Sequence, residues 1–295
     1  MRQAEPDRPR LHLVDATYEL FRAYFAQPSR KAPDGREVGA VRGLLSTLMV
    51  LTRDATHIAC ATDHVVRSFR NDLYAGYKTG DGLPEELASQ FGLAEDAMRA
   101  LGLVVWPMVE FEADDAIAAA AARFSNEAGQ VLIASVDKDL AQCVDGTRVV
   151  MLDRKNDNAV LDEDGVAKKF GVKPTSIPDF LALVGDSADG YPGLPGWGEK
   201  SAAAVLSVFG TIERIPREAS AWGLKVRGAE KLAATLAARE EEARLFKQLA
   251  TLRTDVPLTE GFADLVYRGA GPELRTLCAE LGMPDLVKRV TRWRD

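Results

Sequence analysis

Short apolar runs in the first 139 residues of this chain end on carboxylates. Asp15 follows Leu11–Val14, Asp63 follows Ile58–Thr62, and Asp137 and Asp139 follow Val131–Ser135. Glu112, Asp114 and Asp115 stand where the run Val104–Trp106 gives way to an alanine-rich helical pattern, Ala113 to Phe124. Short apolar runs alternating with helical periodicity predict an α/β fold with a mostly parallel central sheet. Strands are expected at Leu11–Val14, His57–Thr62, Leu103–Trp106, Val131–Ala134 and Val149–Leu152, with helices over Glu19–Phe25 and Val38–Leu51. Ligands of open α/β sheets bind beyond the carboxyl ends of the strands, which is where these acids would collect.

Past Gly171-Val172-Lys173-Pro174 the strand signal fades and helical segments dominate. This divides the chain into an α/β domain at 11–172 and a helical region at 173–295. Within the latter, Gly185-Asp186-Ser187-Ala188-Asp189-Gly190 runs into Gly193-Leu194-Pro195-Gly196-Trp197-Gly198-Glu199-Lys200 and an alanine-rich helix. The carboxylates suit a hard divalent cation. The glycines let the backbone approach a phosphate, and the unpaired amides of the next helix's first turn face it.

With Asp186 and Asp189, nine carboxylates are candidates for one function. Two like charges ~4 Å apart repel by about 4 kcal/mol at an effective dielectric near 20, so a converged cluster must take up protons or bind metal. Paired divalent ions in phosphodiester hydrolysis are the known use of such a site. Taken singly, each acid also suits a helix cap or a solvated turn, Asp115 and Asp189 most of all. Asp137-Lys138-Asp139 also has the spacing used by phosphatases. No Walker A loop, Gly-x-Ser-x-Gly elbow or dinucleotide fingerprint occurs.

Composition narrows the field. The net charge of −7 speaks against a nucleic-acid partner, but its distribution softens that. Residues 1–189 carry 21 basic and 30 acidic side chains, a balance of −9, and residues 190–295 carry 16 and 14, a balance of +2. The excess acid lies where metal would reverse the local field. No apolar run reaches the ~20 residues of a membrane span. The polar start, Met1 to Arg10, reads as a frayed tail and not as a signal peptide. Cys60, Cys143 and Cys278, and three scattered histidines, suggest neither a disulfide framework nor a zinc site. A cytoplasmic protein, monomeric, is the expectation.

These motifs, in this order, resemble the bacterial 5′-nuclease family: the 5′–3′ exonuclease domain of DNA polymerase I, its stand-alone relatives and flap endonucleases. The carriers are Val14-Asp15 with Leu20-Phe21-Arg22-Ala23-Tyr24, and Asp63 with the stretch Ser68-Phe69-Arg70-Asn71-Asp72-Leu73-Tyr74-Ala75-Gly76-Tyr77-Lys78. Glu112-Ala113-Asp114-Asp115, Asp137-Lys138-Asp139-Leu140, the block from Leu183 to Ala203, and Leu249 to Leu258 complete them. The resemblance implies a PIN-like nuclease core followed by a helix–three-turn–helix element and further helices. It implies two Mg²⁺ or Mn²⁺ ions. Asp15, Asp63, Glu112 and Asp114 would hold the first and Asp137, Asp139 and Asp186 the second, with Asp115 and Asp189 in support.

By the same resemblance Lys78 and Arg70 are the catalytic basic residues, Lys78 reaching the scissile phosphate and Arg70 lying near the DNA path. Arg22, Tyr74, Gly193, Gly196, Gly198 and Lys200 contact DNA, with K⁺ among the turn carbonyls. The partner implied is DNA with a 5′ single-stranded flap or 5′ end, cut in line by activated water. The chain's length leaves no room for a polymerase domain on this reading. Two rivals stay open at this point: a non-cleaving protein that binds branched DNA, and a PIN-type ribonuclease.

The chain departs from the family after Tyr77-Lys78. The family usually carries a second arginine there, where this chain reads Thr79-Gly80-Asp81-Gly82, and Ala88 stands at a further basic position. From Thr79 to Met98 there are five acidic residues and no basic ones. Either the acids have basic partners elsewhere, or the arch that embraces the 5′ strand grips it weakly. Gly190 replaces a common Asn.

Overall fold

The computed structural model describes residues 8–154 and 159–294; most of the polar start, residues 1–7, lies outside them. Its elements run β1 (Arg10–Asp15), α1 (Ala16–Ala26), α2 (Gly39–Leu51), β2 (His57–Asp63), α3 (Arg70–Leu73), α4 (Glu85–Ala88), α5 (Phe91–Ala100), β3 (Val104–Met108), α6 (Ala113–Phe124), β4 (Gln130–Ala134), β5 (Val149–Asp153) and β6 (Ala159–Leu161). Then follow α7 (Glu163–Phe170), α8 (Ile177–Val184), α9 (Glu199–Phe209), α10 (Ala229–Ala238), α11 (Glu240–Ala250), α12 (Glu273–Glu280) and α13 (Pro284–Val287). Every strand and helix expected over 11–152 is present, with ends displaced by a few residues. β6 was not anticipated, being three residues long with two of them exposed.

Two compact units interleave along the chain: one comprises 1–66, 80–135 and 254–295, the other 67–79 and 136–253. The first unit is built on four parallel strands in the order β3-β2-β1-β4. β1 and β2 are buried along nearly their whole length. That explains why they read as continuous apolar runs and not as alternation. The register places Leu11 opposite His57 and Asp15 opposite Ala61, while Asp63 lies opposite Met108. Asp15 and Asp63 therefore close their strands at the same, carboxyl, edge of the sheet.

α6 packs against β1, β2 and β3. Ala113, Ala116 and the alanines at 118–121 are all nearly inaccessible. Alanine favours the helix, and its small side chain lets the helix lie close to the sheet. Among the described residues no helix is long and apolar enough to cross a membrane.

The second unit contains the antiparallel pair β5–β6 and a helical body in which α8 packs on both α9 and α11. Trp197 and Trp222 lie against each other, ring centroids 6.0 Å apart. The Trp197 indole donates to the Leu232 carbonyl at 3.3 Å. These contacts anchor the turn between α8 and α9 to α10.

Candidate metal centre and phosphate-binding turn

In the first unit, five candidate acids sit at strand ends and helix starts. Asp15 ends β1 and caps α1: one oxygen accepts from the Tyr18 amide at 2.8 Å, the other from the Ser135 hydroxyl at 2.9 Å. Asp63 ends β2 and accepts from the Ala113 amide at 2.8 Å. Glu112 precedes α6, and the Asp115 carboxylate accepts from the Glu112 amide at 3.0 Å. Asp115 is wholly buried and makes the helix-capping contact that its position suggested. Asp114 projects from the same first turn.

In the second unit, Asp139, Asp186 and Asp189 each bring a carboxylate oxygen within 4.8 Å of the others. Asp139 begins a 3₁₀ turn, Asp139–Cys143, and its amide donates to Asp137 at 3.0 Å. Asp186 and Asp189 flank the tight chain reversal after α8. Asp139 and Asp186 are 5% and 4% exposed. Burial, reinforced by the negative charge of Asp137, Asp189 and Asp186, pushes the Asp139 carboxyl well above the usual carboxylate range, although Lys78 opposes this.

One Asp139 oxygen, Oδ1, is buried without a hydrogen-bond partner among the described residues. A buried carboxylate oxygen with no donor is costly. Three hard oxygens converging around it are the donor set that Mg²⁺ or Mn²⁺ takes. The residues present fit a divalent cation.

Two lysines border the cluster. Lys138 Nζ lies 2.7 Å from Asp186 Oδ2. Burial opposes its charge, but the hydrogen bond to Asp186 and the fields of Asp186, Asp139 and Asp137 raise its pKa. Lys78 Nζ lies 2.9 Å from Asp189 Oδ1. Lys138 was quoted in its motif but given no role from sequence, although its place between two aspartates was the available signal.

The strap that carries Lys78 is held by its own residues. The Asn71 amide donates to the Lys78 carbonyl at 2.9 Å, and Asn71 Oδ1 accepts from the Ser68 amide at 2.8 Å. Tyr74 packs edge-on against Phe246, centroids 5.8 Å apart. Arg70 takes a different place from the one expected of a residue beside the reaction. It is 1% exposed, and its guanidinium donates to the carbonyls of Leu249 at 2.8 Å and Thr251 at 3.3 Å. Those carbonyls close α11, where a cation satisfies acceptors that have no partner within the helix. Arg70 ties the strap to α11.

Gly190 explains the departure from Asn. Its φ is +86°, and a Cβ there would stand 2.3 Å from the Gly76 carbonyl oxygen. The reversal and the strap meet backbone to backbone, which only glycine permits. Opposite Asp186, Tyr191 forms a two-way main-chain pair, at 2.8 and 3.0 Å. The Tyr191 ring stacks on Phe246 with centroids 5.5 Å apart. Burial, with the charges of Asp139, Asp189, Asp186 and Asp137, raises its phenol so that it stays protonated.

The glycine turn follows. Gly193, at φ +68°, packs its Cα against α8's end, where a Cβ would meet the Gly185 amide at 2.3 Å. Gly196 is also left-handed at φ +86°, and Gly198 precedes α9 with open space around its Cα. Lys200 is exposed in the first turn of α9. The arrangement offers amides, a lysine and room for a phosphate oxygen.

In the first unit, Arg22 donates to Glu19 and to Thr47, the latter at 3.0 Å, with its side chain one-third exposed. The acidic stretch 79–98 finds basic partners. Glu86 pairs with Lys31 at 3.2 Å, and Asp96 with Arg99 at 3.3 Å. Glu95 is buried against Thr62, His64 and Arg99. Three of the five acids thus contact basic residues outside the stretch, although Glu95 and Asp96 share Arg99 and Lys31 also serves Glu37.

Known proteins resemble this chain over nearly its whole length. Residues 10–171 match the 5′-3′ exonuclease N-terminal resolvase-like domain, and residues 172–273 the 5′-3′ exonuclease C-terminal SAM fold. The DNA polymerase I of Rhizobium leguminosarum is 38% identical over 293 residues, 95% of this chain and 28% of the relative. That of Pseudomonas aeruginosa is 38% identical over 280 residues, 91% and 30%. The chain spans under a third of the length of these curated relatives.

Solved structures share the fold. A bacteriophage T5 5′-exonuclease with bound zinc aligns with a TM-score of 0.68 at 18% identity, covering 95% of this chain and 96% of that one. A T5 flap endonuclease complexed with DNA and metal ions aligns at 0.64 and 20%, covering 95% and 96%. The catalytic core of Rad2 with a DNA substrate aligns at 0.60 and 16%, covering 96% and 90%. With both family domains matched in sequence order across almost the whole chain, this protein belongs to the 5′-3′ exonuclease family.

Proposed function

We propose that this chain is a structure-specific, divalent-metal-dependent nuclease that hydrolyses DNA phosphodiester bonds at 5′ flaps and 5′ ends. The observation that carries the reading is the trio Asp139, Asp186 and Asp189, the first two buried, with an orphaned oxygen on Asp139 and Lys78 held beside it on Asp189. Asp15, Asp63, Glu112 and Asp114, with Asp115 behind them, are the proposed ligands of a first cation; Asp137, Asp139 and Asp186, with Asp189, those of a second. Mg²⁺ is the proposed native ion, with Mn²⁺ able to replace it. When bound, such ions activate water and stabilise charge on the leaving oxygen.

The chain's own residues do the rest. Lys138 steadies the Asp186 carboxylate, and Asn71 and Arg70 fix the strap, so Lys78 meets a phosphate with its position already set. A phosphate oxygen competes with Asp189 for the Lys78 ammonium, so the lysine's charge is offered where negative charge develops. The turn Gly193–Gly198 and Lys200 take the duplex backbone, with K⁺ proposed among the turn carbonyls; Arg22 and Tyr74 are proposed DNA contacts. Phosphate contacts set register without reading sequence, in keeping with a choice by structure. A monomer in the cytoplasm is part of the proposal. So is the division into a catalytic domain at 11–172 and a DNA-binding region at 173–295.

The test is incubation with a 5′-labelled DNA flap, with and without Mg²⁺ or Mn²⁺, beside Asp137→Ala. Metal-dependent cleavage near the junction, lost in the variant, is the expected result. Tight binding without cleavage under either metal would reject it in favour of a DNA-binding protein, and preference for an RNA flap would point to a ribonuclease.

A further inference from the structure

The Tyr191 hydroxyl and Asp139 Oδ1 are a donor and an acceptor that are both buried and both without a hydrogen-bond partner among the described residues. Tyr191 is 1% exposed, so water at the surface does not satisfy it. Its main chain pairs in both directions with Asp186. Residues directly opposed in a two-stranded antiparallel pair project to the same side. The phenol and the Asp186 carboxylate therefore leave the backbone on one face, and stacking on Phe246 fixes the ring. Nothing in the turn's own architecture requires the oxygen: an apolar residue would fill the stack equally well.

We propose that Tyr191 is a positioning residue for the cation held by Asp139, Asp186 and Asp189, its O–H donating to a water that accompanies the ion. The inference rests on the reading of these acids as metal ligands. A phenol is suited to this task because it carries a proton to give and adds no charge to a cluster that already has excess negative charge. Buried waters persist where two to four polar partners converge, and outer hydrogen bonds of this kind tune metal affinity by about 10–100-fold.

The test compares Tyr191→Phe and Asp186→Ala with the unaltered protein by calorimetric titration with Mn²⁺ in the absence of DNA, and by thermal melting with and without the metal. Phe keeps the ring and the Phe246 stack. The expected result is about a tenfold weaker Mn²⁺ affinity for Tyr191→Phe, with a melting temperature in chelator equal to or above that of the unaltered protein. Asp186→Ala should lose that binding step altogether.

If Tyr191→Phe binds Mn²⁺ as the unaltered protein does while Asp186→Ala does not, the role of Tyr191 is overturned and the metal site stands. A lower melting temperature for Tyr191→Phe in chelator, with affinity unchanged, also overturns it, since the hydroxyl then serves the fold. If the unaltered protein takes up no Mn²⁺, the site and the inference fall together.

Discussion

Lys78 and Asp189 hold each other twice. The Lys78 amide donates to the Asp189 carbonyl at 3.0 Å, and the Lys78 ammonium lies 2.9 Å from the Asp189 carboxylate. The main-chain bond places the residue and the ion pair places its charge. Only the second is available for exchange with substrate. Lys78→Met should thus keep the strap in place and remove the charge alone. We expect cleavage of a 5′ flap to fall by about 10²–10³-fold, with Mn²⁺ affinity changed by less than about threefold. A parallel loss of metal binding would show that Lys78 serves the carboxylates and not the phosphate.

Arg70 spends its guanidinium on the carbonyls of Leu249 and Thr251. Removing it leaves buried acceptors at the end of α11 without their donor. Arg70→Met should destabilise the protein by about 3 kcal/mol, read as a shift of the denaturation midpoint in urea. Activity below the melting range should fall less than for Lys78→Met. A loss of activity with unchanged stability would return Arg70 to the catalytic list.

At Gly190 a Cβ would overlap the Gly76 carbonyl, and the left-handed φ adds its own penalty. Gly190→Asn introduces a side chain that tolerates that φ but not the contact. We expect about 2 kcal/mol of lost stability and a larger fractional loss of cleavage than of DNA binding, because the strap bearing Lys78 must shift. A fully active Gly190→Asn would mean the strap adapts without cost.

Glu37 gives a pH-dependent handle outside the proposed ligand set. Burial acts to raise its carboxyl, but the Ser29 hydroxyl, the amides of Arg30 and Gly39, and Lys31 outweigh it and hold the group at about 2. A carboxyl lowered on folding stabilises the native state above its unfolded value, near 4.5, and the contribution fades as pH falls toward 2. Glu37→Gln should cost about 2 kcal/mol at pH 7, and the two proteins' melting temperatures should converge as pH drops from 4.5 toward 2. A pH-independent gap would show that packing and not charge is lost.

The acids of 79–98 bear on substrate grip. With Glu86, Glu95 and Asp96 paired to basic residues, the stretch is less repulsive than its sequence suggests. Asp81→Arg should therefore raise flap cleavage only a few-fold, at low salt, where surface charges act over longer distances. A gain above tenfold would revive the weakened-arch reading; no gain would dismiss it.

Sequence carried the strands of the first unit well because parallel strands covered on both faces leave runs, not alternation, and because β1 and β2 each stop on an acid. Asp15 and Asp63 were legible for that reason. β6 was not, since a three-residue exposed strand leaves no apolar run. Arg70 was misplaced because a basic residue near a motif reads as a surface charge; its partners, the carbonyls of α11, lie about 180 residues away and carry no sequence mark. Lys138 and Tyr191 were overlooked for a related reason: their importance depends on what converges on them in space, which a linear pattern does not record.

The interleaving of the two compact units has a consequence for how this protein can be divided. The family matches meet between residues 171 and 172, yet the first unit needs 254–295 and the second needs 67–79. Cutting the gene at that junction gives neither half all the chain its unit requires. Separately expressed halves should stay unstructured until mixed, whereas fragments made elsewhere in the chain would fare no better unless each retained both of its distant parts. Inheritance would then trade such a pair only as a whole, in keeping with matches to two polymerase relatives that run over 95% and 91% of this chain.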